Sequence, residues 1–211
     1  MTPPTDNHAP DTLWPGARAR AQVREEKRQA VLLAAVRLFN AKGFHSTSLD
    51  DVAEALQVTK PTIYHYFKSK DDVLFECCRA GLRDMTAAFS KAVAQGGDGA
   101  ARLRALMVSY ALLMTRDFGM CITRTADSEL SADSLARFRA LKRDVDQFLR
   151  RVIRDAMEDG SIATADVHLT AFTISGAINW IGRWYAPDGP LSAAEIAEGI
   201  ADRLMAGLAP R

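Results

Sequence analysis

Cysteine is scarce in this 211-residue chain, with three residues, and two of them (Cys77, Cys78) are adjacent. An odd number with no CxxC spacing gives neither a disulfide framework nor a zinc site, and it suits a reducing compartment. The thiols are expected to be small core hydrophobes. Thirteen glycines and eight prolines are too few for a collagen-like or low-complexity chain. No window approaches the roughly 20 apolar residues of a membrane span, and no charged start leads into a continuous hydrophobic stretch. A cytoplasmic protein is expected. The four histidines (His8, His45, His65, His168) never fall in HxxxH or HExxH spacing, so no metal centre or Cys-His nucleophile is indicated. Gly96, Gly97, Asp98 and Gly99 are glycine-rich, but no strand precedes them and no Gly-Lys-Ser/Thr follows, so they read as a linker and not a phosphate loop. The chain is therefore not expected to be an enzyme, and no cofactor is expected.

What is present is an ordinary globular balance, 48% hydrophobic and 25% charged, with a formal net charge of +1. That figure hides an asymmetry. Residues 16–70 hold ten Lys or Arg against five acids, whereas residues 71–211 hold 17 bases and 19 acids. A basic amino-terminal third on a near-neutral body suggests that one end meets a polyanion.

Residues 1 to about 20 mix Pro3, Pro4, Pro10 and Pro15 with small polar residues and read as a flexible leader. Val31, Leu32, Ala35, Leu38 and Phe39 then recur on one helical face, with Gly43 as the stop, predicting a helix over about 22–42. Thr47 or Ser48 offers an oxygen to cap a second helix, about 48–55, with Asp50 and Asp51 in its first turn and Leu49, Val52, Ala53 and Leu56 as its apolar stripe. Thr59 is placed to cap a third, about 60–66, whose Pro61 fits the first turn. A fourth runs from Ser69 or Lys70 to about Gln95. Further helices are expected over about 100–117, 131–159, 164–185 and 192–208, with turn-formers at 117–119, 159–161 and 187–190. No strand pattern of useful length appears, so the fold class is all-α, a three-helix head on a larger helical body.

The second and third helices have the size and spacing of a helix-turn-helix. Thr59, Lys60, Thr62, Tyr64, His65 and Tyr66 carry groups suited to phosphate oxygens and base edges, while Ile63 and Phe67 turn to the core. From Arg28 to Leu74 the chain resembles the TetR (tetracycline-repressor) family of transcriptional regulators. The resemblance rests on Val31, Leu32, Ala34, Ala35, Leu38, Phe39, Gly43, Phe44, Thr47, Ser48, Val52, Ala53 and Val58 to Lys60, and above all on the stretch from Ile63 to Lys70. The family usually has glycine where Gln57 stands, so this side chain must tolerate or avoid a positive φ. Pro61 is less usual there than Gly or Ala and bears on which base edges are reached, not on the binding mode.

The resemblance implies a DNA-binding domain over 21–70 and an effector-binding and dimerisation domain over 71–211. It implies phosphate contacts from Thr47 or Ser48, operator contacts from Thr59, Lys60, Thr62, Tyr64 and His65, and a phosphate contact from Lys70. Arg18, Arg20 and Arg24 fit either a basic arm on DNA or a solvated tail. In the body, Ile196, Ile200, Leu204 and Leu208 recur every four residues, and the preceding helix is apolar through Phe172, Ile174, Ile178, Trp180, Ile181 and Trp184. Two such helices per subunit would build a four-helix interface in a homodimer. The stretch from Asn179 to Ser192 is similar to one in a TetR branch that responds to acyl-coenzyme A thioesters. This implies a small-molecule effector near Arg124, Asn179, Trp180, Arg183 and Trp184, with the arginines pairing to phosphates or a carbonyl. The implied function is a ligand-released repressor on an inverted-repeat operator, with an efflux regulator sensing lipophilic drugs or cations as the alternative.

Overall fold

The computed structural model describes residues 15–210; the expected leader up to residue 14, with His8, lies outside the described residues, as does the side chain of Arg18. Helices make up 77% of the described residues, and there is no strand among them. The first helix, α1 (Pro15–Lys42), starts several residues earlier than expected. Proline reads as a breaker, but at the first helical position its missing N–H leaves nothing unsatisfied, so Pro15 opens the helix. Arg20 and Arg24 accordingly stand exposed on a helix and not on a flexible arm. Gly43, at φ +84°, stops α1, its N–H bonding back to the Phe39 carbonyl at 3.0 Å.

The head is completed by α2 (Leu49–Ala55) and α3 (Lys60–Tyr64). Ser48 caps α2: its Oγ accepts from Asp51 N at 3.1 Å while the Asp51 carboxylate accepts from Ser48 N, so both orphan donors are met. Gln57 takes the positive φ of the turn, +54°, which a glycine would adopt without strain. Pro61 sits in the first turn of α3. Thr59 holds the cap position with its hydroxyl turned to Thr62 Oγ1, 3.0 Å away, so it caps by backbone geometry alone, contrary to the side-chain cap expected. Leu32, Val36, Phe39, Leu49, Val52, Ile63 and Phe67 are buried together and fix the angle between the two short helices.

The body comprises α4 (Lys70–Val93), α5 (Gly99–Met114), α6 (Asp117–Arg124), α7 (Ala132–Glu158), α8 (Val167–Trp184) and α9 (Ala193–Leu208), with a 3-10 turn at Asp127–Glu129 before α7. The sequence reading lacks α6, having assigned 117–119 to a turn. It is the element that joins the two parts, packing on α1, α4 and α8. Glycines make the close packing work. A Cβ at Gly81 of α4 would fall 2.6 Å from the Phe118 carbonyl oxygen, and one at Gly182 of α8 would fall 2.5 Å from Thr123 Oγ1. One apolar core runs without a break from Val31 in the head to Ala201 in α9. No single helix among the described residues is long and apolar enough to cross a membrane.

Candidate functional site

The outer face of α3 carries Thr59, Lys60, Tyr64 and His65 exposed and Thr62 half-buried, beside a shallow polar cleft of about 450 Å³ that reaches Ser48 and Lys70. His45, Ser46 and Lys68 border the same cleft and are absent from the sequence-derived set. Lys68 was findable from its charge within the Ile63–Lys70 stretch, whereas only the fold brings 45–46 beside α3. Thr47 departs from expectation. It is 1% exposed, and its hydroxyl donates to the Gly43 carbonyl at 2.9 Å, so its side chain secures the corner between α1 and α2 at the floor of the cleft. Ser48 is exposed, with its oxygen already engaged in the cap.

Two cations of this surface have partners of their own. Lys60 Nζ lies 2.6 Å from Asp50 Oδ2, and this hydrogen bond and charge raise its pKa. Lys70 Nζ sits 4.1 Å above the Phe44 ring, and partial burial lowers its pKa against the opposing pull of Asp51 and Glu129.

Polar clamps tie the head to the body and the helices of the body to one another. Glu76 of α4 is 8% exposed and held by Arg28 of α1 and by Arg79. Burial alone would push its carboxyl up, but the hydrogen bonds and charges of the two arginines outweigh this and lower it. Asp71, next to Lys70, accepts from Ser131 N, Ser131 Oγ and Ser134 Oγ at 2.7–2.9 Å, tying the start of α4 to the start of α7. Arg124 donates to the Gly182 carbonyl at 2.8 Å and the Asn40 carbonyl at 2.9 Å, linking α6, α8 and α1.

The five residues expected around an effector separate into three places. Arg124 and exposed Arg183 line a cleft of about 240 Å³ between head and body, with Asn40, Phe44, Thr125 and Glu129. Asn179 lines a different, partly open cavity of about 150 Å³, walled by Leu82, Met85, Tyr110, Ile122, Val145, Leu149 and Phe172. There the Tyr110 hydroxyl donates to Asn179 Oδ1 at 2.7 Å, and burial pushes the phenol pKa up. Lys142, Asp146 and Ser175 complete this inner cavity, and Asp146 is already paired with Arg150 at 2.7 Å. Trp180 and Trp184 reach neither cavity; they are 63% and 46% exposed on the outside of α8.

With Leu169 (67% exposed) and Phe172 (60%), those tryptophans form an apolar stripe at spacings of three, eight and four residues, opposite the buried face of Ala171, Ile174, Ile178 and Ile181. A groove of about 320 Å³ runs beside it between α8 and α9, lined by Leu169, Leu204 and Leu208, and Ile200 is half-buried on α9. Ile196 does not belong with them. It is 5% exposed because α9 turns that side, with Ala197 and Ala201, onto α5. No cluster of metal-ligating side chains occurs among the described residues.

Two family models match the chain: "Bacterial regulatory proteins, tetR family" over residues 31–77 and "Tetracyclin repressor-like, C-terminal domain" over residues 96–208. The chain belongs to the TetR family of transcriptional regulators, and it is a DNA-binding regulator, not an enzyme. It is similar to the transcriptional repressor KstR2 of Rhodococcus jostii, 28% identical over 87% of this chain and 91% of that protein. Among solved structures it resembles the regulator PfmR of Thermus thermophilus, at 31% identity and a TM-score of 0.77 over 85% of this chain and 99% of that one. It also resembles AibR in complex with isovaleryl coenzyme A and operator DNA, at 30% identity and a TM-score of 0.75 over 87% and 98%. TetR-family regulators bind operator DNA as dimers and respond to small-molecule effectors.

Proposed function

We propose that this protein is a cytoplasmic repressor that holds an inverted-repeat operator as a homodimer and lets go when an acyl-CoA thioester binds its body. The observation that carries the reading is the outer face of α3, where Thr59, Lys60, Tyr64 and His65 project together from a capped helix-turn-helix beside Ser48 and Lys70. Residues 21–70 form the DNA-binding unit and residues 71–211 the effector-binding and dimerisation unit. One such head covers a half-site, so two must be held about one DNA turn, roughly 34 Å, apart. The Leu169–Phe172–Trp180–Trp184 stripe and the neighbouring Ile200, Leu204 and Leu208 supply the surface for a second copy, since exposed apolar area of this kind is rarely left to water.

Acyl-CoA is favoured by the pairing of an apolar cavity with a cationic cleft. About 150 Å³ falls below the roughly 300 Å³ at which ordinary ligand pockets begin, and suits the acyl end alone. Phosphates of the same ligand would take Arg183 and the outward edge of Arg124 in the head–body cleft. AibR, which this chain resembles, was crystallised with isovaleryl coenzyme A and operator DNA, in line with this class. A lipophilic cation is the rival effector, and Asp146 is the carboxylate that would draw it. Arg150 already neutralises that charge.

The test is release from a genomic DNA fragment selected by the purified protein, together with thermal shift, against isovaleryl-CoA, longer acyl-CoAs, the free acids and lipophilic cations. Release by a thioester, weakened by Arg183→Ala, is the expected result. A response to cations alone would overturn the effector class while leaving the DNA-binding reading intact.

A further inference from the structure

Helices α4 and α6 meet through sulfur. Cys78 of α4 and Cys121 of α6 bring their Sγ atoms to 4.0 Å, with Thr125 Oγ1 3.6 Å from the first and 3.7 Å from the second. Both thiols are buried, but Cys121 forms part of the wall of the 240 Å³ head–body cleft, which gives a small solute a route to the pair. Cys77 is directed elsewhere, its Sγ 3.6 Å from the Leu32 carbonyl. The two paired sulfurs are not equivalent. The contact with Cys121 lowers the pKa of Cys78 against the effect of burial, and Thr125 adds to the lowering; Cys121 is pushed up by holding its proton toward Cys78 and by burial. Two thiols in contact, one of them eased toward its thiolate, are the arrangement from which a disulfide is made.

We propose that Cys78 and Cys121 form an oxidisable dithiol pair, which a hydroperoxide converts to a disulfide that fixes α4 to α6 and weakens DNA binding. Whichever sulfur reacts first attacks a peroxide oxygen as thiolate, breaking the O–O bond to give a sulfenic acid and hydroxide. The second sulfur then displaces the sulfenic oxygen, which leaves as water with the remaining thiol proton. Two thiols and one hydrogen peroxide thus yield one disulfide and two waters, with the peroxide as oxidant.

Closure has a mechanical cost at a defined place. A disulfide needs the sulfurs about 2.05 Å apart, about half their present separation. One helical turn along from each cysteine, Gly81 and Phe118 already leave no room for a Cβ, so the helices cannot simply approach there. The movement is taken up as a tilt of α4, which begins at Lys70, against α6, which is bonded to α1 through Asn40 and Arg124. A bond between these sulfurs therefore alters the pose of the head, whatever occupies the effector sites.

Peroxide treatment of the full-length protein followed by peptide mapping without reductant tests the chemistry. A cross-linked peptide joining residues 78 and 121 should appear, two hydrogens lighter than its parts, and vanish with dithiothreitol. It should be missing from Cys78→Ser and Cys121→Ser and retained in Cys77→Ser. Affinity for the selected DNA fragment should fall by about fivefold or more, the low end of ordinary allosteric coupling, recover with dithiothreitol, and stay constant in the two serine variants. Failure to form the 78–121 peptide, equal oxidation of Cys77, or a cross-linked protein that binds DNA unchanged would each overturn the proposal. The peptide map needs neither effector nor operator, so its failure is separable from failure of the acyl-CoA reading.

Discussion

In the head, the side chains that meet the outside are neighbours in sequence: Thr59, Lys60, Thr62, Tyr64 and His65 project from one short helix and its cap. In the body, the walls of the inner cavity come from α4, α5, α6, α7 and α8, from Leu82 to Asn179. A surface written on one helix is set by local spacing, whereas a cavity is set by which helices pack together and how closely. The first can be read from a motif. The second depends on packing that no local pattern records.

The largest effects should come from the two faces of the carboxy-terminal helices. Trp180→Glu puts a carboxylate on the proposed dimer surface, where an unpaired buried charge costs several kcal/mol. Sedimentation should show a monomer with helicity retained, and DNA affinity should collapse with it; a dimer would place the interface elsewhere. Ile196→Ala should do the reverse, lowering protomer stability by about 2–5 kcal/mol in denaturant titration while leaving the subunits paired.

Next come the head surface residues. Tyr64→Ala and Lys70→Ala should weaken DNA binding with little change in melting temperature, and loss of one phosphate contact should reduce the salt dependence by roughly 0.9 log unit per log unit of salt. If both variants bind like the parent in a shift assay, α3 is not the reading element.

A smaller effect belongs to the boundary between the two regions. Because the folded pKa of Glu76 lies below its unfolded value, its carboxylate contributes stability above the usual glutamate range, and that contribution is lost as pH falls through the lowered value. Glu76→Gln should cost about 1–3 kcal/mol near neutrality, the worth of its charge-assisted hydrogen bonds. Melts taken from about pH 7 to pH 3 should then show a shallower acid limb than the parent. Least of all, Gln57→Gly should relieve a left-handed backbone and raise stability by about 1 kcal/mol or less in urea titration, since added unfolded-state freedom offsets part of the gain.

The three-helix head was legible almost residue by residue, down to the Ser48 cap, the placement of Pro61 and the φ demanded of Gln57. Its misleading residues were Thr47 and Thr59, because an N-cap signal says neither which of two adjacent hydroxyls faces inward nor whether the hydroxyl turns to a neighbouring side chain. The start of α1 was lost for a different reason: a proline both breaks helices and opens them. Helix α6 was hidden by Asp117 and Gly119, turn-formers by composition. Gly119 is needed for space, since a Cβ there would lie 1.9 Å from the Leu113 carbonyl oxygen. The expected effector residues scattered because Arg124, Asn179 and Trp180 lie on different sides of α6 and α8, a fact of packing and not of spacing. On α9 a four-residue repeat mixed two faces, and Ile196 went to the inner one.

The ion pair between Lys60 and Asp50 changes what the head's charge means in solution. A lysine counted on paper as ready for a phosphate is here already beside an anion, so reaching DNA exchanges one negative partner for another, and the release of cations from the phosphates is offset by the carboxylate left without its own. Asp50 is left facing the polyanion when Lys60 turns away. Operators that place a phosphate where Lys60 can bridge it and Asp50 together escape that repulsion. On the proposed reading of α3, the pair would favour backbones that come close enough to share the ammonium over loose contact along arbitrary sequence.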